Sequence, residues 1–172
     1  TGQIVASKKT AGTVYNMARA GSFLHLAYGA TGLVTMRISD LNDLRVMRVT
    51  DDIVADDVVV CGGYAFVLTF INPPSNSRVN LLDIQSDPSI PERLSEIQVA
   101  LRPGTKMACS GSYLFIGGGA SGLHLLDFSN PRDPKDITQT RLVDTANPQR
   151  FDAVAFHYLR ITGGILRAAV DL

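Results

Sequence analysis

The sequence predicts an all-β fold, a β-propeller of four-stranded antiparallel blades with about four blades along the chain. Three observations predict it: an internal repeat of blade length, short apolar runs bounded by turn residues inside each repeat, and apolar residues at consecutive rather than alternate positions in the middle strands.

The repeat comes first. The stretch "GSFLHLAYGATGLVTMRISDL" (residues 21–41) aligns without a gap on "GSYLFIGGGASGLHLLDFSNP" (residues 111–131). A further copy, "GGYAFVLTFINPPSNSRVNLLDIQSDP", covers residues 62–88 with five extra residues in its middle loop, and "YLRITGGILRAAVDL" covers 158–172. The anchoring aromatics Phe23, Tyr64, Tyr113 and Tyr158 lie 41, 49 and 45 residues apart, the spacing of a propeller blade or of a helical-hairpin solenoid.

Strand content decides between the two. Each unit holds a first strand ("VYNMARA", "DVVVC", "TKMAC", "DAVAF"), a second ("FLHLA", "YAFVL", "YLFIG", "YLRIT"), a Gly-containing turn and a third strand ("LVTMRI", "VNLLDI", "LHLLDF", "LRAAVDL"). No stretch has helical periodicity, and an outer strand completes a four-stranded blade. The units run over residues 11–50, 51–100, 101–145 and 146–172 of one propeller domain or propeller fragment. Residues 3–9, "QIVASKK", have the character of an outer strand and fit the place missing from the fourth unit, which would close a ring of four. The alternative is a piece of a larger ring, which the missing initiator Met and the abrupt end favour.

The spacing Gly117-x-Gly119-x-x-Gly122 resembles a dinucleotide fingerprint, but that motif needs its last Gly to open a helix on which the pyrophosphate sits. Here "LHLLDF" continues as a strand, so the glycines are expected to shape a hairpin.

Proline-spaced turns follow the third strands: "SNPRDPKDI" (129–137), "SDPSIPERL" (86–94) and, with Leu in both proline places, "SDLNDLRVM" (39–47). The unit "GSYLFIGGGASGLHLLDFSNPRDP" resembles the LVIVD-repeat β-propeller family, whose units pair a Gly-aromatic strand with a Gly-Leu-x-x-x-Asp strand and a Ser-Asn/Asp-Pro-x-x-Pro turn. Arg37 departs from the Asp found at Asp83, Asp127 and Asp171. The resemblance implies a propeller, often extracellular, periplasmic or on the cell surface, with no settled chemistry. A WD repeat would need Trp-Asp pairs, and the chain has no Trp; the double Gly of a kelch repeat fits one copy only.

Sixteen Lys and Arg balance sixteen Asp and Glu, so the net charge is zero and nothing points to nucleic acid or an anionic membrane. No apolar run reaches membrane-helix length. Cys61 and Cys109 stand one position out of register in neighbouring copies, which predicts side chains on opposite strand faces and free thiols rather than a disulfide.

No high-specificity catalytic motif is present, and no cofactor or metal is expected. His25, aligned with Phe66 and Phe115, and His124, aligned with Val34 and Asn80, read as packing or surface residues; His157 stands at a strand junction. The acidic run "TDDIVADD" (50–57) reads as a solvated connection rather than a Ca²⁺ loop. At the channel mouth, eight positions before each anchoring aromatic, lie Tyr15, Asp56, Thr105 and Arg150, the candidate ligand-binding set. The expected function is binding or scaffolding, with loops presented to a protein or other macromolecule, or contact with further blades of the same propeller. The alternatives are an enzyme or enzyme subunit acting at the channel mouth on a carbohydrate or peptide, and a surface or adhesion repeat.

Overall fold

The structure is a computed structural model that describes residues 4, 7, 12–70, 77–101, 105–118, 123–138, 156–162 and 165–170. Among these there is no helix. Sheet 1 is β1 (Asn16–Ala20), β2 (Phe23–Ala27), β3 (Leu33–Arg37) and β4 (Arg45–Thr50), in that spatial order. Sheet 2 repeats the order with β5 (Asp57–Cys61), β6 (Tyr64–Thr69), β7 (Ser77–Asp83) and β8 (Glu92–Val99). Sheet 3 has β9 (Lys106–Ser110), β10 (Tyr113–Gly117), β11 (Leu123–Asp127) and β12 (Lys135–Asp136), and β13 (Phe156–Thr162) pairs with β14 (Ile165–Val170) as a fourth, two-stranded sheet. All pairings are antiparallel. Residues 3–9, expected to close a ring, lie outside the described residues except Ile4 and Ser7, neither of which is in a strand.

Recurrent local chemistry builds the recurrent sheet. The two-residue turn between first and second strands carries Gly21, Gly62 or Gly111 at φ 56–57°, a left-handed conformation that favours glycine. The third strand ends where its following residue, Ile38, Ile84 or Phe128, donates its N–H back to that turn, at Ser22, Gly63 or Ser112. Asp40, Asp87 and Asn130 then form side-chain turns, accepting from the N–H of Asn42, Ser89 and Arg132 at 2.9, 2.8 and 3.2 Å. These bonds explain why Ser-Asp/Asn recurs after the third strands of sheets 1, 2 and 3.

The sheets stack face to face through their first strands, β1 on β5, β5 on β9 and β9 on β13. Between sheets 1 and 2 lie Ala27, Leu33, Val58, Ala65, Val67 and Leu82. Between sheets 2 and 3 lie Phe66, Leu68, Leu81, Leu114, Ile116 and Phe128, with the Phe66 and Phe128 rings 4.6 Å apart. The other face of sheet 1 carries Leu26, Tyr28, Val34 and Met36, all buried.

This stacking overturns the expectation of free thiols: Cys61 and Cys109 form a disulfide, with Cα atoms 6.1 Å apart. The two cysteines do stand out of register, since Cys61 pairs with Tyr64 at the end of β5 whereas Cys109 pairs with Leu114 one position short of the end of β9. The inference failed because stacked sheets meet through opposite faces. A residue on the rear face of sheet 2 and one on the front face of sheet 3 point at each other.

β10 and β11 pair from Tyr113↔Asp127 to Gly117↔Leu123, so the residue that follows Gly122 opens a strand and not a helix. Gly119 and Gly122 themselves lie outside the described residues. Their counterpart in sheet 1 shows the constraint. Gly32 has φ +99°, and a Cβ built there would stand 2.0 Å from the Thr50 carbonyl oxygen.

Two predictions follow from these contacts. Gly32→Val should lower stability by about 3 kcal/mol or more, since strain and backbone overlap add, whereas Gly21→Ala, where the space is open, should cost about 1 kcal/mol; urea midpoints of the two variants test the ranking. Closing a loop of 48 residues, the disulfide should contribute about 2 to 4 kcal/mol. A thiol reductant should therefore lower the urea midpoint of the unmodified protein and leave that of Cys61→Ala with Cys109→Ala unmoved.

Candidate functional site

The four residues expected at the channel mouth are placed as follows. Tyr15, Asp56 and Thr105 immediately precede β1, β5 and β9; Arg150 lies outside the described residues. The equivalence is real at the backbone, because Tyr15 and Asp56 donate their N–H groups to Ala27 and Leu68 at the same ladder position, both at 2.9 Å. Their side chains diverge. The exposed Tyr15 ring lies against Gly29, the Asp56 carboxylate accepts the Phe70 N–H at 2.7 Å, and Thr105 is buried.

What the structure brings together is the next residue of each first strand: Asn16, Asp57 and Lys106. Asn16 Nδ2 donates to Asp57 Oδ1 in a short bond and reaches Val58 O at 3.5 Å. Asp57 Oδ1 also accepts the Val58 N–H at 2.9 Å. On the far side Lys106 contributes its charge and Met107 its backbone N–H, both of which favour the carboxylate. Asp57 Oδ2 has no partner in hydrogen-bond geometry. Asp57 is only 2% exposed, and burial pushes its pKa up more than Asn16, Lys106 and the two N–H groups pull it down. This arc lies one residue beyond the set Tyr15, Asp56 and Thr105. Strand alternation contains the signal, since a shift of one residue turns a side chain to the other face.

The acidic run is only partly a solvated connection. Asp51 and Asp52 are exposed, but Ile53 and Ala55 are core residues and Ala55 bridges to Gly29. Its carboxylates serve separate partners: Asp52 pairs with Arg93 at 3.1 Å, Asp56 caps Phe70 and Asp57 holds Asn16.

His25 and His124 are both buried, as packing residues. His25 stands opposite Ala18 and Thr35 where sheet 2 has Phe66 opposite Val59 and Leu81. Its Nδ1 lies 3.1 Å from Thr35 Oγ1 and its Nε2 has no partner. Burial lowers its pKa to about 4. For His124, burial pulls the pKa down against the opposing carboxylate of Asp136, 3.9 Å away. His157 lies in β13, at the register shift between Phe156 and Tyr158.

The architecture defines an all-β protein of repeated four-stranded antiparallel sheets. Within it, residues 105–137, which span sheet 3, match the LVIVD repeat, a unit associated with β-propellers. The crystal structure of the computationally designed Ika4 protein is similar in fold, with a TM-score of 0.59 and 12% identity over 99% of this chain and 97% of that one. No curated protein matches the sequence.

Two of the buried titratable groups, His25 and Asp57, yield opposite pH responses. Because burial depresses the folded-state pKa of His25, the unfolded chain takes up the proton first as pH falls below 6.5. Stability should therefore drop between pH 6.5 and about 4, by about 3 kcal/mol at the acid end. His25→Phe, which installs the residue found at the same place in sheets 2 and 3, should flatten that part of the curve in urea titrations. Asp57 has a raised pKa, so its ionised form costs the fold at neutral pH, a cost relieved as pH falls through the raised value. Asp57→Asn keeps the acceptor for Asn16 and should be neutral or stabilising at pH 7, whereas Asp57→Leu should lose about 1 to 3 kcal/mol. Thermal unfolding of the two variants separates a positional from an ionic role.

Proposed function

We propose that the chain is a binding or scaffolding β-propeller that takes a protein partner along an exposed blade edge. The observation that carries this reading is β4. It is the outer strand of sheet 1, hydrogen-bonded to β3 on one side, and Val46, Met47 and Val49 are 40 to 49% exposed on it. The equivalent edge of sheet 2, β8, carries charges of both signs, Glu92, Arg93 and Glu96, whereas β4 sets its three exposed apolar side chains beside two arginines, Arg45 and Arg48. An edge with exposed apolar side chains, whose outer backbone groups pair with no strand among the described residues, suits the addition of an extended partner segment, whose main chain supplies affinity and whose alternate side chains supply specificity. The exposed Arg48 favours an acidic residue in that segment.

The propeller itself is supported by three features: the LVIVD repeat, the regular stacking of first strands, and the burial of both faces of sheet 1. A closed ring would cover the first sheet in that way. The disulfide supports maturation in an oxidising compartment, at the cell surface, in the periplasm or outside the cell. A second reading, a catalytic site at the channel mouth, draws on Asp57, a buried carboxylate with an unpartnered oxygen beside Lys106.

Selection of displayed random peptides on the unmodified protein tests the docking edge. Peptides that alternate apolar and acidic residues should emerge, and Val46→Lys with Val49→Lys should weaken them by about tenfold or more. Peptides that bind both forms equally, or a library that yields none, would remove the edge as the docking surface.

A further inference from the structure

Sheet 2 carries a polar recess on its face toward sheet 1, roofed by the connection that follows β4. The recess has a volume of about 150 Å³ and is lined by Asp52, Thr69, Arg78, Asn80, Arg93 and Glu96 among others. Arg78, Arg93 and Glu96 also line a wider groove of about 420 Å³. Its inner wall is set by a chain of hydrogen bonds. Thr69 Oγ1 donates to Val54 O at 2.5 Å and accepts from Asn80 Nδ2 at 3.2 Å. That bond fixes the Asn80 amide and leaves its Oδ1 without a partner in a side chain that is 2% exposed. Two residues along the same strand face, Arg78 spends its Nη1 on Glu96, at 3.2 Å, while its buried Nε has no partner.

The chemistry of these groups narrows what fits. Both guanidinium charges are already matched, Arg78 by Glu96 and Arg93 by Asp52, so an anion gains no net attraction here. An apolar molecule would leave an acceptor and a donor buried and unmet, at about 1 to 3 kcal/mol each. A hydroxyl both donates and accepts. Residues two apart on a strand are separated by roughly 7 Å, a span covered by two adjacent hydroxyls with a hydrogen bond of about 2.8 Å at each end. We propose that this recess is a binding site for a neutral polyhydroxyl ligand, a sugar ring or polyol, with one hydroxyl donating to Asn80 Oδ1 and its neighbour accepting from Arg78 Nε. The size fits a single ring, with any further residues lying along the groove. This site is independent of the β4 edge and stands whether or not that edge docks a partner.

The test is an NMR titration of the isotope-labelled full chain with glucose, galactose, mannose and inositol in turn, with N-methylacetamide as a separate arm. At least one polyol should produce saturable shifts confined to β7, β8 and residues 51–54. Asn80→Leu and Arg78→Lys should each weaken it by about tenfold, one hydrogen bond's worth. Arg78→Lys keeps the charge opposite Glu96 and serves where Asn80→Leu fails to fold. Absence of saturable shifts with every polyol, which would leave the recess to water, overturns the proposal. So do shifts that persist undiminished in a folded variant, and so does saturation by N-methylacetamide alone, which would assign the recess to an amide-bearing ligand.

Discussion

The contacts of β1 with β5, β5 with β9 and β9 with β13 fix how the sheets lie on one another, and stacked sheets need about 10 Å of side chain between them. In sheet 2 this filling must be apolar on both faces at once. β6 is therefore buried at five successive positions from Ala65 to Thr69, and β7 at four from Val79 to Leu82. Alternation returns only toward the outside, where β8 mixes exposed and half-buried residues. The small residues follow from the same geometry: Ala18, Ala20, Ala55 and Ala65 sit where sheets 1 and 2 come together, and a larger side chain there would force the pair apart.

Two ties join neighbouring first strands inside this arrangement. Asn16 and Asp57 link β1 to β5 at the end where first strands begin, and the Cys61–Cys109 disulfide links β5 to β9 near the other end. The two ties fall at opposite ends of β5, so the sheets are held against shear as well as separation. Asp57 is expensive in this place, since burial opposes its charge, and its retention calls for Asn16, Lys106 and the Met107 N–H together.

The repeat made most of the fold legible. The spans expected for the second strands "FLHLA" and "YLFIG" are those of β2 and β10, and every third strand lies within two residues of its expected span, because Gly turns and Ser-Asp/Asn stops punctuate the chain by local chemistry alone. What the sequence could not convey was how one sheet faces the next. Parity assigned Cys61 and Cys109 to opposite faces correctly, yet the thiols meet because the facing surfaces of two stacked sheets have opposite parity. The same gap explains why the cross-sheet contact falls one residue beyond the expected set: Asp56 serves its own sheet by capping Phe70, whereas Asp57 reaches across to Asn16. The polar recess was invisible for a related reason. Nothing local to "SRVNLLD" shows that the connection after β4, Asp52 to Val54, lies beside Arg78 and Asn80.

Departures from the repeat concentrate in sheet 1. His25 and Thr35 replace an aromatic and a leucine in the same cross-strand row. Arg37 replaces an aspartate that in sheets 2 and 3 accepts the N–H two residues on, at 2.7 and 2.8 Å, and both turn prolines are Leu. Each change weakens a device that the other sheets keep: the first trades a dry pair for an imidazole with an unmet nitrogen, the second removes a strand stop, the third frees the backbone leading to β4. Stability alone gives no reason for all three to fall in one copy. The docking edge proposed above gives one, because local rules are broken where a function requires it and the neighbouring sheets carry the stability. Sheets 2 and 3 serve as internal controls for this argument, since the same backbone positions there hold the residues that folding by itself favours.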